Sequence, residues 1–199
     1  MRAIRRLLAG FALLAVAAAP SNAQQRPGLV EVSGGGGRHG FWLGAGIGAG
    51  GEQFDLADGL GYSDALYKPA FWLRGGGTLG QHFRLGGEIS AWVNDRDRAT
   101  ESVSSFLAIA QFYPFTSTGL YLKGGLGLGR SAVTFDDGFD TGDTGFAGAF
   151  GAGWEVPVGA HFAIVPAVDW VGQSFDQRGS GTIHERVVTY TLGVVWQPH

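Results

Sequence analysis

The sequence predicts an all-β chain, an eight-stranded antiparallel up-and-down transmembrane β-barrel preceded by a signal peptide, and three observations carry the barrel. Apolar residues alternate with small or polar ones in eight segments of about ten to twelve residues. The connections between segments alternate between long and short, and aromatic side chains gather at the ends of the apolar faces. Composition agrees. Of 199 residues 36 are glycine, a poor helix former, with no G-X-Y period, while 13% aromatic content argues against a disordered chain.

The elements follow in order. Arg2, Arg5 and Arg6 precede an apolar run from Leu7 to Ala19, and Ser21-Asn22-Ala23 supplies small residues before Gln24, so residues 1–23 read as a secretory signal peptide. Its removal leaves 11 basic against 17 acidic side chains, a formal charge of −6 in place of −3, which argues against nucleic-acid binding. There is no cysteine, hence no disulfide, zinc thiolate or thiol nucleophile. Residues 24–39 read as a flexible Gly-rich lead-in, and residues 40–199 as the barrel domain. No later segment has eighteen consecutive apolar residues, so membrane crossing falls to strands.

The first strand sets Phe41, Leu43, Ala45, Ile47 and Ala49 against Trp42 and glycines, and the second sets Phe71 and Leu73 against Trp72, Arg74 and Thr78. The third opposes Phe83, Leu85, Ile89, Ala91 and Val93 to Arg84, Glu88, Ser90 and Asn94. In the fourth, Phe106, Ala108, Ala110 and Phe112 oppose Leu107, Ile109 and Gln111, which leaves its facing ambiguous. The fifth alternates Leu120, Leu122, Leu126 and Leu128 with Tyr121, Lys123 and glycines; the sixth runs from Phe146 to Val156 with Glu155 on the polar phase. The seventh places Phe162, Ile164, Pro166, Val168 and Trp170 opposite Asp169 and Gln173, and the eighth runs from Val188 to Trp196. Long polar loops are expected at 51–68, 95–102, 136–144 and 174–185, with short turns at 80–82, 115–118 and 157–160.

On the apolar phase, Phe41, Phe83, Phe112, Trp154, Phe162 and Trp196 lie near the short turns and termini, and Phe71, Phe106, Phe146 and Trp170 lie nearer the long loops. Two aromatic girdles around an aliphatic band are what a bilayer imposes. A soluble lipocalin-like barrel would invert the faces, with the apolar phase inward.

Three stretches carry a resemblance: Phe112-Tyr113-Pro114-Phe115, the run Gly119 to Gly129, and Thr191 to Trp196. They are similar to the small outer-membrane β-barrel family of OmpA-like and OmpX-like proteins, over about residues 40–196 and in pattern more than in unique motif. The resemblance implies Sec-type export, a Gram-negative outer membrane, contact with outer-membrane lipid, and insertion by the barrel assembly machinery reading the last strand. Family members usually stop at the terminal aromatic, whereas here Gln197-Pro198-His199 follow Trp196. No periplasmic peptidoglycan-binding domain is expected after strand eight.

Inward charges are the candidate site: Arg74, Arg84 and Lys123 against Glu88, Glu155 and Asp169. A three-residue turn centred on Gln81 puts Arg74 opposite Glu88, and symmetry about Phe139 puts Lys123 opposite Glu155. In a narrow lumen such charges are expected to pair into a plug, the alternative being a small-solute, ion or proton path. Gly46 to Gly51 matches a dinucleotide fingerprint but sits within a strand, and Gly125 to Gly129 lacks the Lys-Ser/Thr of a phosphate loop. Asp136 to Asp143 offers oxygens at calcium-like spacing without the closing Glu, leaving an acidic loop or a calcium site. Among His39, His82, His161, His184 and His199 none has a serine two residues on, the arrangement of lipid A deacylase barrels. No catalytic, cofactor or metal residue is therefore expected. The expected role is structural or interactive, with an extracellular ligand at loop residues such as Phe54, Leu56, Leu60, Tyr62 and Tyr67; a lipid-modifying enzyme is the third reading.

Overall fold

Strict alternation leaves each strand one face for lipid and one that other side chains must fill, and a closed sheet satisfies both. The computed structural model describes residues 38–55, 62–96, 99–136, 139–177 and 181–198. Its strands are β1 (Gly40–Asp55), β2 (Leu66–Thr78), β3 (Phe83–Arg96), β4 (Ala99–Phe112), β5 (Leu120–Phe135), β6 (Asp140–Trp154), β7 (Phe162–Gln177) and β8 (Gly181–Trp196). Each pairs antiparallel with its chain neighbours, and β1 pairing with β8 closes the barrel. Val156–Pro157 continues β6 past Glu155 and pairs with β7. The signal peptide, the lead-in through residue 37, Leu56, Leu60 and His199 lie outside the described residues.

The facing is the membrane one. Ile47 is 69% exposed and Leu126 62%, whereas Arg74, Arg84 and Glu88 are at most 2% exposed. That contrast excludes the inverted, soluble barrel. The ambiguous fourth strand turns Leu107 and Ile109 inward, where they pack with Trp42, Ala147, Ala149 and Val171. At the short-turn end the exposed girdle rings pair across strands, Phe83 on Phe112 at 5.0 Å and Phe41 edge-on to Trp196 at 6.3 Å. Phe71 and Trp170 in the other girdle are half-buried, Trp170 stacking on Phe150 at 4.9 Å.

The connections at the opposite end, expected as long loops, are shorter than their polarity suggests. The segment expected as loop 95–102 is largely ladder, Asp95 pairing with Thr100 and Arg96 with Ala99, and β5 turns into β6 through a Phe135 N–H to Phe139 carbonyl bond of 2.9 Å. Above the apolar band the outward face meets water and the buried inward face carries polar groups such as Glu52 and Asn94, so the apolar alternation vanishes while Thr, Val and Phe still favour extended backbone.

Candidate functional site

The lumen is built from large side chains set against glycines. Trp72 on β2 occupies space that a side chain on β1 or β8 would fill: a Cβ on Gly46 would lie 2.4 Å from its ring and one on Gly193 2.3 Å. Its indole Nε1 donates to Thr191 Oγ1 at 2.9 Å, and the Arg74 guanidinium sits 3.7 Å over the ring. Gly153 makes room for Tyr121 and Gly151 for Asp169 in the same way. Within the Gly46 to Gly51 run Gly46 makes room for Trp72 and Gly50 adjoins Trp92, and the run lies wholly inside strand β1.

Trp72 and these glycines position a closed ring of four charges from β2, β3, β5 and β7. Arg74 Nε lies 3.0 Å from Glu88 Oε2 and Arg74 Nη2 3.2 Å from Asp169 Oδ2. Lys123 Nζ lies 2.6 Å from Glu88 Oε2 and 2.9 Å from Asp169 Oδ1. Each carboxylate therefore holds both cations, and the ring is neutral. Arg74 Nη1 also donates to the Tyr121 hydroxyl at 3.0 Å. Arg74 pairs directly with Glu88, as the β2–β3 hairpin register requires.

Lys123 does not face Glu155. The β5–β6 register pairs Lys123 with Gly151, four residues away from the expected partner, because the hairpin is centred nearer residue 137 than Phe139. Glu155 belongs to a second cluster at the mouth on the short-turn side, with Arg84 Nη1 at 2.5 Å and Arg38 Nε at 3.6 Å. The buried Tyr113 hydroxyl donates to Glu155 Oε1 at 2.8 Å, and Arg38 covers the Tyr113 ring at 3.9 Å. Burial first and Glu155 second push the Tyr113 phenol above its ordinary pKa, so it remains a donor. Gln197 accepts from Arg84 and donates to the His39 carbonyl at 2.8 Å, so residues flanking both barrel termini complete this cluster. Arg38, Tyr113 and Gln197 are absent from the sequence-derived site because they lie just outside the alternating segments.

At the opposite end, where the longer connections lie, the inward phase carries Glu52 on β1, Glu101 on β4, Asp143 on β6 and Glu185 on β8. Counted from Phe41 and Trp196, the roughly eleven residues that span a bilayer end at Gly51 and Arg186, just short of Glu52 and Glu185. Glu101 accepts from Arg96 and Asn94, both at 3.1 Å. Burial, then Glu185 and Glu101, push the Glu52 carboxyl up to about 7, with Arg96 opposing. Continuing the even-numbered phase of β1 from Trp42 through Gly50 would have put Glu52 in the lumen.

The profile of the outer membrane protein beta-barrel domain matches residues 9–196. The chain belongs to the outer membrane protein β-barrel family. Its place is accordingly the outer membrane of a Gram-negative cell. Among solved structures this outer-membrane barrel is similar to Neisserial surface protein A, with 16% identity, a TM-score of 0.60, and coverage of 79% of this chain and 97% of that one. It is also similar to Ail, the attachment invasion locus protein of Yersinia pestis, with 15% identity, a TM-score of 0.51, and coverage of 80% and 99%. At these identities the likeness is one of fold. No curated protein sequence matches the chain. Among the described residues no group of three or more His, Asp or Glu side chains is arranged to hold a metal ion.

Proposed function

We propose that this outer-membrane barrel is a closed, non-enzymatic surface protein whose lumen serves stability and whose extracellular end meets a partner. The observation that carries the reading is the neutral ring of Arg74, Glu88, Lys123 and Asp169, each side chain at most 5% exposed. Buried charges that satisfy one another offer a permeating ion nothing that outweighs its own desolvation. Trp72, Trp92, Tyr113 and Tyr121 fill the bore around them. Export through the 1–23 segment and recognition of β8 by the barrel assembly machinery complete the proposal, Gln197 just after β8 being used in the cluster at the periplasmic, short-turn end.

The extracellular end supplies the interaction surface. Its segments 52–68, 94–101, 130–143 and 176–186 hold 13 acidic and 6 basic residues. Tyr62, Tyr67, Phe135 and Phe139 are each at least 40% exposed among them. Acidic groups beside aromatic faces suit a cationic partner, and Arg186 already sits 3.6 Å over the Tyr62 ring. Planar-bilayer recording of the purified protein tests the closed lumen. Only brief, rare current steps are expected, and steady large single-channel currents would overturn the reading.

A further inference from the structure

Gln173 on β7 and Glu185 on β8 are directly paired positions on the inward phase. Gln173 is 4% exposed; its Nε2 donates to the Ser104 carbonyl of β4 at 3.0 Å, and its Oε1 has no donor. Glu185 Oε1 accepts from Ser131 Oγ of β5 at 3.0 Å, while its Oε2, also shut off from water, has none. Two buried acceptor oxygens thus stand at neighbouring positions without a hydrogen between them. An ionised carboxylate oxygen left this way is expensive, and a single proton resolves both vacancies.

We propose that Glu185 is a neutral carboxylic acid in the folded barrel and donates its proton to Gln173 Oε1, making a proton-dependent brace across the extracellular half. The brace runs from β8 to β7 through the new bond, from β7 to β4 through Gln173, and from β8 to β5 through Ser131. A buried water is the competing donor. The cavity above the charge ring, about 20 Å³ and bordered by Gln173, Ser90 and Thr189, has room for one. Glu185 does not border it, so a water there leaves Glu185 Oε2 unsatisfied.

The surroundings favour the neutral acid. Glu52 on β1, Glu101 on β4 and Asp143 on β6 are acidic; the facing cations are Lys68 on β2 and Arg96 on β3, the latter already bound to Glu101. From β5 and β7 the facing groups are the uncharged Ser131 and Gln173, and Arg186 on β8 points outward to Gln53. Burial, with Glu101 and Asp143, raises the Glu185 pKa against the lowering effect of Ser131. Raising the pH through its midpoint ionises Glu185 and releases the brace.

The test is a carboxyl-carbon NMR titration of the full barrel in lipid nanodiscs, with amide exchange followed on the extracellular ends of β7 and β8. Glu185 is expected to titrate above the ordinary carboxylate range. Protection at Phe175 and Ile183, corrected for intrinsic rates, is expected to fall roughly fivefold across that midpoint, the factor of one hydrogen bond. In Glu185→Gln, whose amide donates at every pH, protection is expected to keep the low-pH value. Titration of Glu185 in the ordinary range, or the same pH response in Glu185→Gln as in the unmodified protein, would overturn the proposal; the first result would assign the Gln173 donor to the cavity water.

Discussion

Trp72 shows how single residues set the barrel's interior. Its ring takes the room of absent side chains at Gly46 and Gly193, so neither glycine tolerates replacement by a branched residue without moving an indole that is also tied to Thr191 and Arg74. Gly46→Val is expected to abolish the heat-modifiable folded band on unboiled gels, whereas valine at Gly77, where a Cβ meets nothing within 4 Å, is expected to leave it intact. Equal behaviour of the two variants would refute the socket. Within the charge ring, Glu88→Ala leaves Arg74 and Lys123 sharing one carboxylate and is expected to cost about 3–5 kcal/mol in urea unfolding from lipid vesicles. Combining it with Lys123→Met restores neutrality, and the double variant is expected to recover part of that loss. The inward charges were legible as a set from parity alone. Their partners were legible only where a short turn fixed the register.

At the level of the strand and hairpin, that distinction has a geometric cause. Shifting a register by an even number of residues preserves which face a side chain occupies and changes only its height in the lumen. Lys123 and Glu155 were therefore placed on the correct face and matched at the wrong height, whereas the β2–β3 turn, closed by the Leu79 N–H on the Phe83 carbonyl at 2.9 Å, left no such freedom. The strand ends are hidden in the sequence for another reason: polarity on both faces looks like a loop although the ladder continues, as at Arg96 and Ala99. The β1–β8 seam shows what that hid. Glu52 keeps its proton in the fold up to about pH 7, while the unfolded chain loses it near 4.5, so ionisation favours unfolding progressively between those values. Stability from this group is highest at low pH and falls as pH rises, with the full penalty present above about 7. Glu52→Gln is expected to stabilise the barrel by about 1–2 kcal/mol at pH 8 and by nearly nothing at pH 4, measured as the shift in urea midpoint. A stabilisation independent of pH would show that ionisation of Glu52 is not its source.

Across the whole molecule, charge is distributed very unevenly along the barrel axis. The four extracellular segments sum formally to −7, or −6 with Glu185 neutral, while residues 24–199 sum to −6, so the rest of that stretch sums to +1, and the lumen ring contributes nothing to either. The field outside the cell is therefore acidic whatever the interior does, and fields of this kind steer encounters over about one Debye length, roughly 8 Å at physiological salt. The barrel in nanodiscs is expected to capture poly-lysine at low ionic strength, to release most of it at 0.5 M salt, and to ignore heparin throughout. Tyr62→Ala with Tyr67→Ala separates the two parts of the surface. If the exposed rings hold cationic groups as well as the carboxylates do, this double variant retains the salt dependence while losing roughly tenfold in affinity, the scale of one or two cation–π contacts. Heparin binding by the unmodified barrel, or poly-lysine binding unaffected by salt, would show that the acidic end is not what selects the partner.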